Sequence, residues 1–299
     1  MSDDYSSLWS YRLKWLYTLL VVFTLMLPVF YVIYISFNQN GFGAAEYVFT
    51  FEWYGEIFSD LLLMSALGNT FILSAITLAV AVPMGLIAAK FYKATSTKRT
   101  KLLTVALLLS PLFVPADILG SALLVFFKNL NIACATFGEW LGVSWFDTWF
   151  ELGYFSALVG LIIYTLPYIF VVILITMGRY NPQQTEAARS CGATAWQAFI
   201  QVEFPQIQAG VFSACAFAVI LTFNEYTRTS LLKGGYDTIT SVLISQMLNE
   251  GMSEQSYAMS SLISFVAIAV IGSVIVYTLI QSERLEREAR AKAEPLMSG

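Results

Sequence analysis

Few residues in this 299-residue chain can do chemistry, and their types narrow what that chemistry is. There is no histidine, which excludes imidazole acid–base catalysis and imidazole metal ligation. Cys134, Cys191 and Cys215 are widely scattered and read as small neutral fillers, not as a disulfide framework or a thiolate metal site. No G-x-x-x-x-G-K-[ST] loop is present to cradle nucleotide phosphates, and H-E-x-x-H, G-x-S-x-G and C-x-x-C do not occur. What remains is a handful of carboxylates in apolar surroundings. Asp117 interrupts one apolar run, just after Pro111 and Pro115, and Glu225, followed by Tyr226, closes another. An ionised Asp deep in a bilayer costs roughly 2.5–3.5 kcal/mol, so it must face protein or a wet cavity. Asp117 therefore either lines a transport path or hydrogen-bonds backbone loosened by the prolines. Glu225 either meets a cationic substrate or pairs with nearby Arg228. An enzyme would have to work from such embedded carboxylates alone.

The elements that must position these groups are membrane helices. The chain is 58% hydrophobic and 12% charged, whereas a soluble domain carries about 45–50% apolar and about 25% charged residues. A crossing helix needs about 20 apolar residues. Stretches at about 15–37, 66–89, 102–127, 153–178, 207–226 and 257–280 supply six, the first reading as an uncleaved anchor. Thr238 to Leu248 is apolar but too short, and is read as an interfacial or re-entrant helix.

Lys and Arg near the span ends set the orientation. Arg12 and Lys14, the five bases from Lys90 to Lys101, Arg179 and Arg189, and the four from Arg284 to Lys292 fall on one side; only Lys128, Arg228 and Lys233 fall on the other. Both termini are therefore expected in the cytoplasm. Trp53, Tyr54, Trp140, Trp145, Trp149 and Tyr154 cluster at the outer edges, where amphipathic rings favour the interface. The outer loops also hold half of the twenty acids, Asp147 and Glu250 among them. An electronegative mouth concentrates cations, although positive-inside insertion alone also strips bases from this side. Pairs such as Glu283–Arg287, Glu286–Arg290 and Glu288–Lys292 predict that the sixth helix runs on to about Pro295.

Between the fourth and fifth spans lies a loop, 179–206, with the grammar helix, glycine, helix. Asn181 is a good N-cap and Pro182 a good first helical residue. Gly192 sits where a helix ends left-handed, and Thr194 with Gln197 forms a T-x-x-Q capping box for a second helix that Pro205 is expected to close. That second helix carries Trp196 and Phe199 on one face. A short capped helix held by a rigid corner outside the membrane is a lever another protein can push.

Glu186-Ala187-Ala188, three residues, Gly192, nine residues, then Val202-Glu203-Phe204-Pro205 resembles the EAA loop of ABC-importer permeases, E-A-A-x3-G-x9-I-x-L-P, with Val for Ile and Phe for Leu. Glu52-Trp53-Tyr54, Pro115-Ala116-Asp117-Ile118-Leu119-Gly120, Asn224-Glu225-Tyr226 and Gly251-Met252-Ser253 are similar to the spermidine/putrescine-type branch, though Ala116 is an extra residue and Ile239-Thr240 replaces a usual Leu-Pro. The resemblance implies an all-α polytopic fold with six transmembrane helices, like the type I ABC-importer transmembrane domain, as one permease domain over 1–299. It implies that Glu186, Ala187, Ala188, Gly192, Ala193, Trp196, Phe199 and Pro205 form the ATPase-coupling element, and that Asp117, Glu225, Tyr226 and Trp53 are substrate-pathway candidates. This chain would hold no cofactor of its own, ATP and Mg being bound by the partner ATPase. The implied partners are a cytoplasmic ABC ATPase dimer, a second permease, an extracytoplasmic substrate-binding protein and the lipid bilayer, with no nucleic acid. The setting would be a bacterial inner membrane and the cargo a polyamine or a related small organic cation or amino-acid derivative. The alternative is a secondary transporter or channel using Asp117.

Overall fold

A helix lets a single segment cross hydrocarbon with every peptide group paired internally, and a computed structural model of the protein is built from helices. It describes residues 3–43, 46–142, 148, 150–249 and 251–297. Trp145, Asp147, Trp149 and Glu250 lie outside the described residues. Among the described residues there is no strand, only an isolated antiparallel bridge between Asn38 and Phe49. The helices are α1 (Asp3–Ser36), α2 (Glu52–Ser59), α3 (Leu61–Ala94), α4 (Lys98–Leu109), α5 (Ala116–Leu141), α6 (Tyr154–Gly178), α7 (Gln183–Ser190), α8 (Ala195–Ala198), α9 (Phe204–Asn224), α10 (Thr227–Leu232), α11 (Ile239–Asn249) and α12 (Glu254–Met297). Six are long and apolar enough to cross a membrane: Tyr11–Ser36, Leu61–Ala94, Ala116–Leu141, Tyr154–Gly178, Ala195–Asn224 and Glu254–Tyr277. Several hydroxyls inside them bond to the carbonyl one turn back, as Thr24 on Leu20, Thr165 on Leu161 and Thr176 on Val172. As expected, α12 runs on past the apolar stretch, to Met297.

The chain forms two compact units, Met1–Met64 with Ser245–Ile268, and Ser65–Ile244 with Ala269–Gly299. In the first, Asn38 organises the connection after α1. Its amide donates to the Gly41 carbonyl at 2.7 Å and accepts from the Val48 N–H at 3.0 Å. The Phe37 ring packs against Phe49, Phe51 and Tyr54, and the Tyr54 hydroxyl meets Ser36 and Ser261.

The second unit is cored on α3, α6 and α9. Ala81, Val82 and Ala89 pack with Ile169, Phe170, Ile173, Met177, Ile207, Val211, Ala214 and Ala218. Small residues on α3 and α9 let these helices approach α6 closely.

The third expected span, 102–127, is not one helix. α4 ends in a 3₁₀ turn, Ser110–Phe113, and Val114 and Pro115 are extended before α5 begins. Pro111 and Pro115 each remove a backbone donor, and Val114, just before Pro115, is held extended, whereas Ser110 before Pro111 keeps a helical conformation. The broken rod still lies along α6. Val105, Leu108 and Leu109 pack with the Ile169–Met177 end, while Leu123, Leu124 and Phe127 pack with Ala157 and Leu161. Beyond Phe127, α5 continues past the first residue of α6, where the Asn131 side chain accepts from the Phe150 N–H at 3.2 Å.

The segment after α9 is locked to the N-terminal end of α6. Tyr236 stacks on Tyr154 with ring centroids 4.0 Å apart, and Ser156 donates to the Leu232 carbonyl at 2.7 Å. Gly234, at φ +68°, lies so near the chain that an added Cβ would sit 2.1 Å from the Leu152 carbonyl oxygen. Gly234→Ala is therefore expected to cost at least about 2 kcal/mol, from strain plus backbone displacement. Gly235→Ala, with open space around it, should stay within about 0.5 kcal/mol of the parent. Melting of the detergent-solubilised variants, compared side by side, checks this; equal midpoints would contradict it.

Candidate functional site

The 179–206 loop has the predicted grammar in three dimensions. The Asn181 side chain accepts from the Gln183 N–H at 3.1 Å and its carbonyl from Gln184 at 3.2 Å, so α7 starts one residue later than expected, with Pro182 flanking it. At the other end, the Gly192 N–H donates to Arg189 and the Ala193 N–H to Ala188, at 3.0 and 3.1 Å. With Gly192 at φ +93° this is a Schellman termination, which pairs the last carbonyls and fixes the chain's exit direction. Thr194 and Gln197 close the capping box in both directions, at 2.9 and 3.3 Å. Glu186 and Ala187 are exposed on α7, and Ala188 and Ala193 are half-buried. Glu186, in the first turn, is favoured there by the helix dipole, and its carboxylate forms no ion pair with another described residue. Trp196 is 70% exposed, and its ring lies 5.8 Å from Phe199.

Pro205 does not close the second helix. α8 passes through a π-helical turn, Phe199–Glu203, straight into α9, so the loop's second half is the start of the fifth crossing. The Phe204 N–H bonds back to the Phe199 carbonyl, five residues earlier. The wider turn accommodates the ring and missing N–H of Pro205 without ending the helix.

The sequence reading missed what this turn holds. Glu203 is only 5% exposed, and its carboxylate accepts from Lys90 Nζ on α3 at 2.8 Å. The same ammonium stands 4.2 Å from the centroid of Phe199. Each residue sits at the edge of an apolar stretch, but no spacing rule connects positions so far apart. Beside the pair, between the ends of α3 and α6 and the loop, is a cleft of about 440 Å³ lined by Lys93, Tyr180, Thr185, Glu186 and Arg189 among others.

The substrate-pathway candidates have different environments. Asp117 is exposed, in the first turn of α5 and not mid-helix, at the positive end of that helix's dipole. Glu225 is 7% exposed and is held by Arg228, whose backbone N–H and guanidinium donate to its two oxygens, each at 2.9 Å. Arg228, 6% exposed, also lies 4.5 Å from the Tyr164 ring, beside Gly120 and Gly160. Of the two readings of Glu225, the structure displays the ion pair. Tyr226 is half-buried next to it. Trp53 belongs to the first unit, where its indole N–H donates to the Asn38 carbonyl at 3.1 Å.

A helical rod bundle with a capped loop standing off its end is the architecture of a membrane transport subunit. Residues 81–287 match the family described as binding-protein-dependent transport system inner membrane component. The chain belongs to this family, the permeases of ABC importers, and is a multi-pass inner-membrane protein. It is similar to the putrescine transport system permease protein PotI of Escherichia coli, 24% identical over 267 residues covering 89% of this chain and 90% of the relative. It is also similar to the sulfate transport system permease protein CysW of Synechocystis, 26% identical over 288 residues, 93% and 94% of the two chains. A chain of a bacterial alginate ABC transporter, solved with an alginate pentasaccharide-bound periplasmic protein, shares the fold at TM-score 0.67 and 18% identity, over 95% of this chain and 97% of that one.

Removing one member of a buried ion pair leaves the other charge stranded. Arg228→Ala and Glu225→Ala are each expected to cost roughly 3–5 kcal/mol of stability. The double substitution should cost clearly less than their sum. A double-mutant cycle on melting of the solubilised protein measures this, and additive losses would mean the two charges are not coupled.

Proposed function

We propose that this permease couples ATP hydrolysis in a cytoplasmic ABC ATPase dimer to import, with α7 and the Gly192 corner as the docking element. The observation that carries the reading is the corner itself. An eight-residue helix carrying the exposed Glu186 is fixed by a Schellman turn and a closed capping box to a helix that enters the core without a break. A push on α7 is therefore delivered to a crossing helix, not absorbed by a flexible linker. The loop end also gathers Lys90, Lys93, Lys101, Arg179 and Arg189, which argues by positive-inside bias that this end and both termini face the cytoplasm. The opposite end would receive a substrate-loaded binding protein, and a second permease would complete the pathway. An ion-coupled carrier built on Asp117 is less well supported, because that carboxylate is exposed at a helix start.

For cargo, we favour a polyamine or related small organic cation. Support comes from the names of relatives such as PotI and from acids such as Glu46, Glu52, Glu56 and Asp60 on the outer side. Identification of the molecule that copurifies with the cognate binding protein tests this; an inorganic or sugar anion would remove the cation assignment and leave the permease reading standing.

Coexpressed with its ATPase, the chain should copurify with it. Glu186→Lys should weaken that association about tenfold, equal to about 1.4 kcal/mol, by reversing charge at the dock. Gly192→Val places a β-branched residue at φ +93°, costing at least 1–2 kcal/mol, roughly, at the corner. Uptake and binding-protein-stimulated ATPase should then collapse while membrane abundance is retained. Unchanged association in the first variant and unchanged stimulation in the second would sink the coupling assignment.

A further inference from the structure

We propose that the Lys90–Glu203 pair is the strut by which movement of the 179–206 loop is delivered to α3, so that these are positioning residues for the transport cycle. The proposal rests on the coupling reading of that loop. Its physical basis is a continuous chain of contacts that starts on the surface. Trp196, exposed beyond the Gly192 corner, lies against Phe199, whose face carries the Lys90 ammonium. Lys90 in turn holds the buried Glu203 carboxylate. Phe199 and Glu203 open and close the π-helical turn, and the ring of Phe204, the first residue of α9, lies tilted against that of Phe199 with centroids 6.0 Å apart.

Such a pair is a poor way to gain stability, because the buried carboxylate pays desolvation while the Lys90 side chain stays 40% exposed and open to solvent screening, and apolar side chains of similar volume usually serve as well. The neighbouring contacts among α3, α6 and α9 are apolar, as Ala89 with Met177 and Ile207. An ionic contact at the loop end of this seam has a property those lack. It is directional and strong over a short range, so it holds two helices in register while the apolar surfaces slide. The π-helical turn sets Glu203 where the helix departs from its regular ladder, the place where a small rotation of the loop changes the carboxylate's direction most. Lys90 lies four residues before the end of a 34-residue helix, so a pull there acts on the whole rod.

The test uses the complex of the chain with its ATPase, with Cys134, Cys191 and Cys215 replaced and spin labels at Met84→Cys on α3 and Ile175→Cys on α6. Both positions are exposed on the bundle surface. Pulsed dipolar spectroscopy compares the ATP-free state with the ATP-plus-vanadate trapped state. Trapping should shift the label separation when Lys90 and Glu203 are intact. In Glu203→Gln, nearly the same shape, the shift should fall by at least half with ATPase association undiminished. The exchanged pair, Lys90→Glu with Glu203→Lys, should restore it, which a merely structural role does not predict. An undiminished shift in Glu203→Gln, no shift with the native pair, or failure of the exchanged pair to restore it would overturn the strut while association with the ATPase stands. A native chain that does not hold its ATPase would overturn the loop reading and the strut together.

Discussion

In hydrocarbon, a peptide group without a partner costs several kcal/mol, and no water is at hand to relieve it. Everything irregular in this protein has to be arranged around that constraint. Pro28, Pro83 and Pro167 lie inside helices that continue through them. Pro205 is absorbed by a π-helical turn in place of a helix end. Only at Ser110–Pro115 does a rod along the α6 seam lose its helical path altogether, and there a 3₁₀ turn recovers part of the pairing, the Val114 N–H reaching the Pro111 carbonyl at 3.4 Å. The break then places Asp117 at a helix start, where the exposed N–H groups of the first turn favour a negative charge.

Much of this was legible in the sequence, and the reasons are physical. Apolar length reports a crossing regardless of what surrounds it, so six spans could be read directly. Capping chemistry is equally local. The Thr194–Gln197 box and the left-handed Gly192 need only neighbours within a few positions, and both are formed as expected. The misreadings both fall at prolines, in opposite directions: a break was missed at Pro111 and Pro115, and one was expected at Pro205 that does not occur. Pro111 and Pro115 together broke a span read as continuous, because two donors are lost within about one turn and Val114, before the second proline, is held extended. Pro205 alone, near the start of a long apolar helix, was tolerated. Composition cannot distinguish these cases without the neighbouring helices that stabilise or fail to stabilise the freed carbonyls.

The ionic contacts were the least legible. Glu225 with Arg228 could be raised as a possibility because the two are three residues apart, a spacing that meets on one helical turn. Lys90 with Glu203 joins different crossings, and only the packed bundle brings them together. Trp53, singled out for an aromatic role at the outer side, instead ties a loop within the first unit through the Asn38 carbonyl. An aromatic side chain with a polar tip suits either role, and sequence offers nothing to choose between them.

The two acids that proved buried bracket a single helix. Glu203 immediately precedes α9 and Glu225 immediately follows it. At about 1.5 Å of rise per residue they stand roughly 33 Å apart along the axis, close to the thickness of about 30 Å of a bilayer's hydrocarbon core. Each carboxylate is buried and matched by a cation, Glu203 by Lys90 on a different crossing and Glu225 by Arg228 three residues further along the chain. Between them α9 turns mostly small and apolar side chains to the core, with Gly210 against Thr176 and Ala214 and Ala218 fully buried, and one buried hydroxyl, Thr222, which hydrogen-bonds Ser74 on α3 at 2.7 Å about one turn before Glu225.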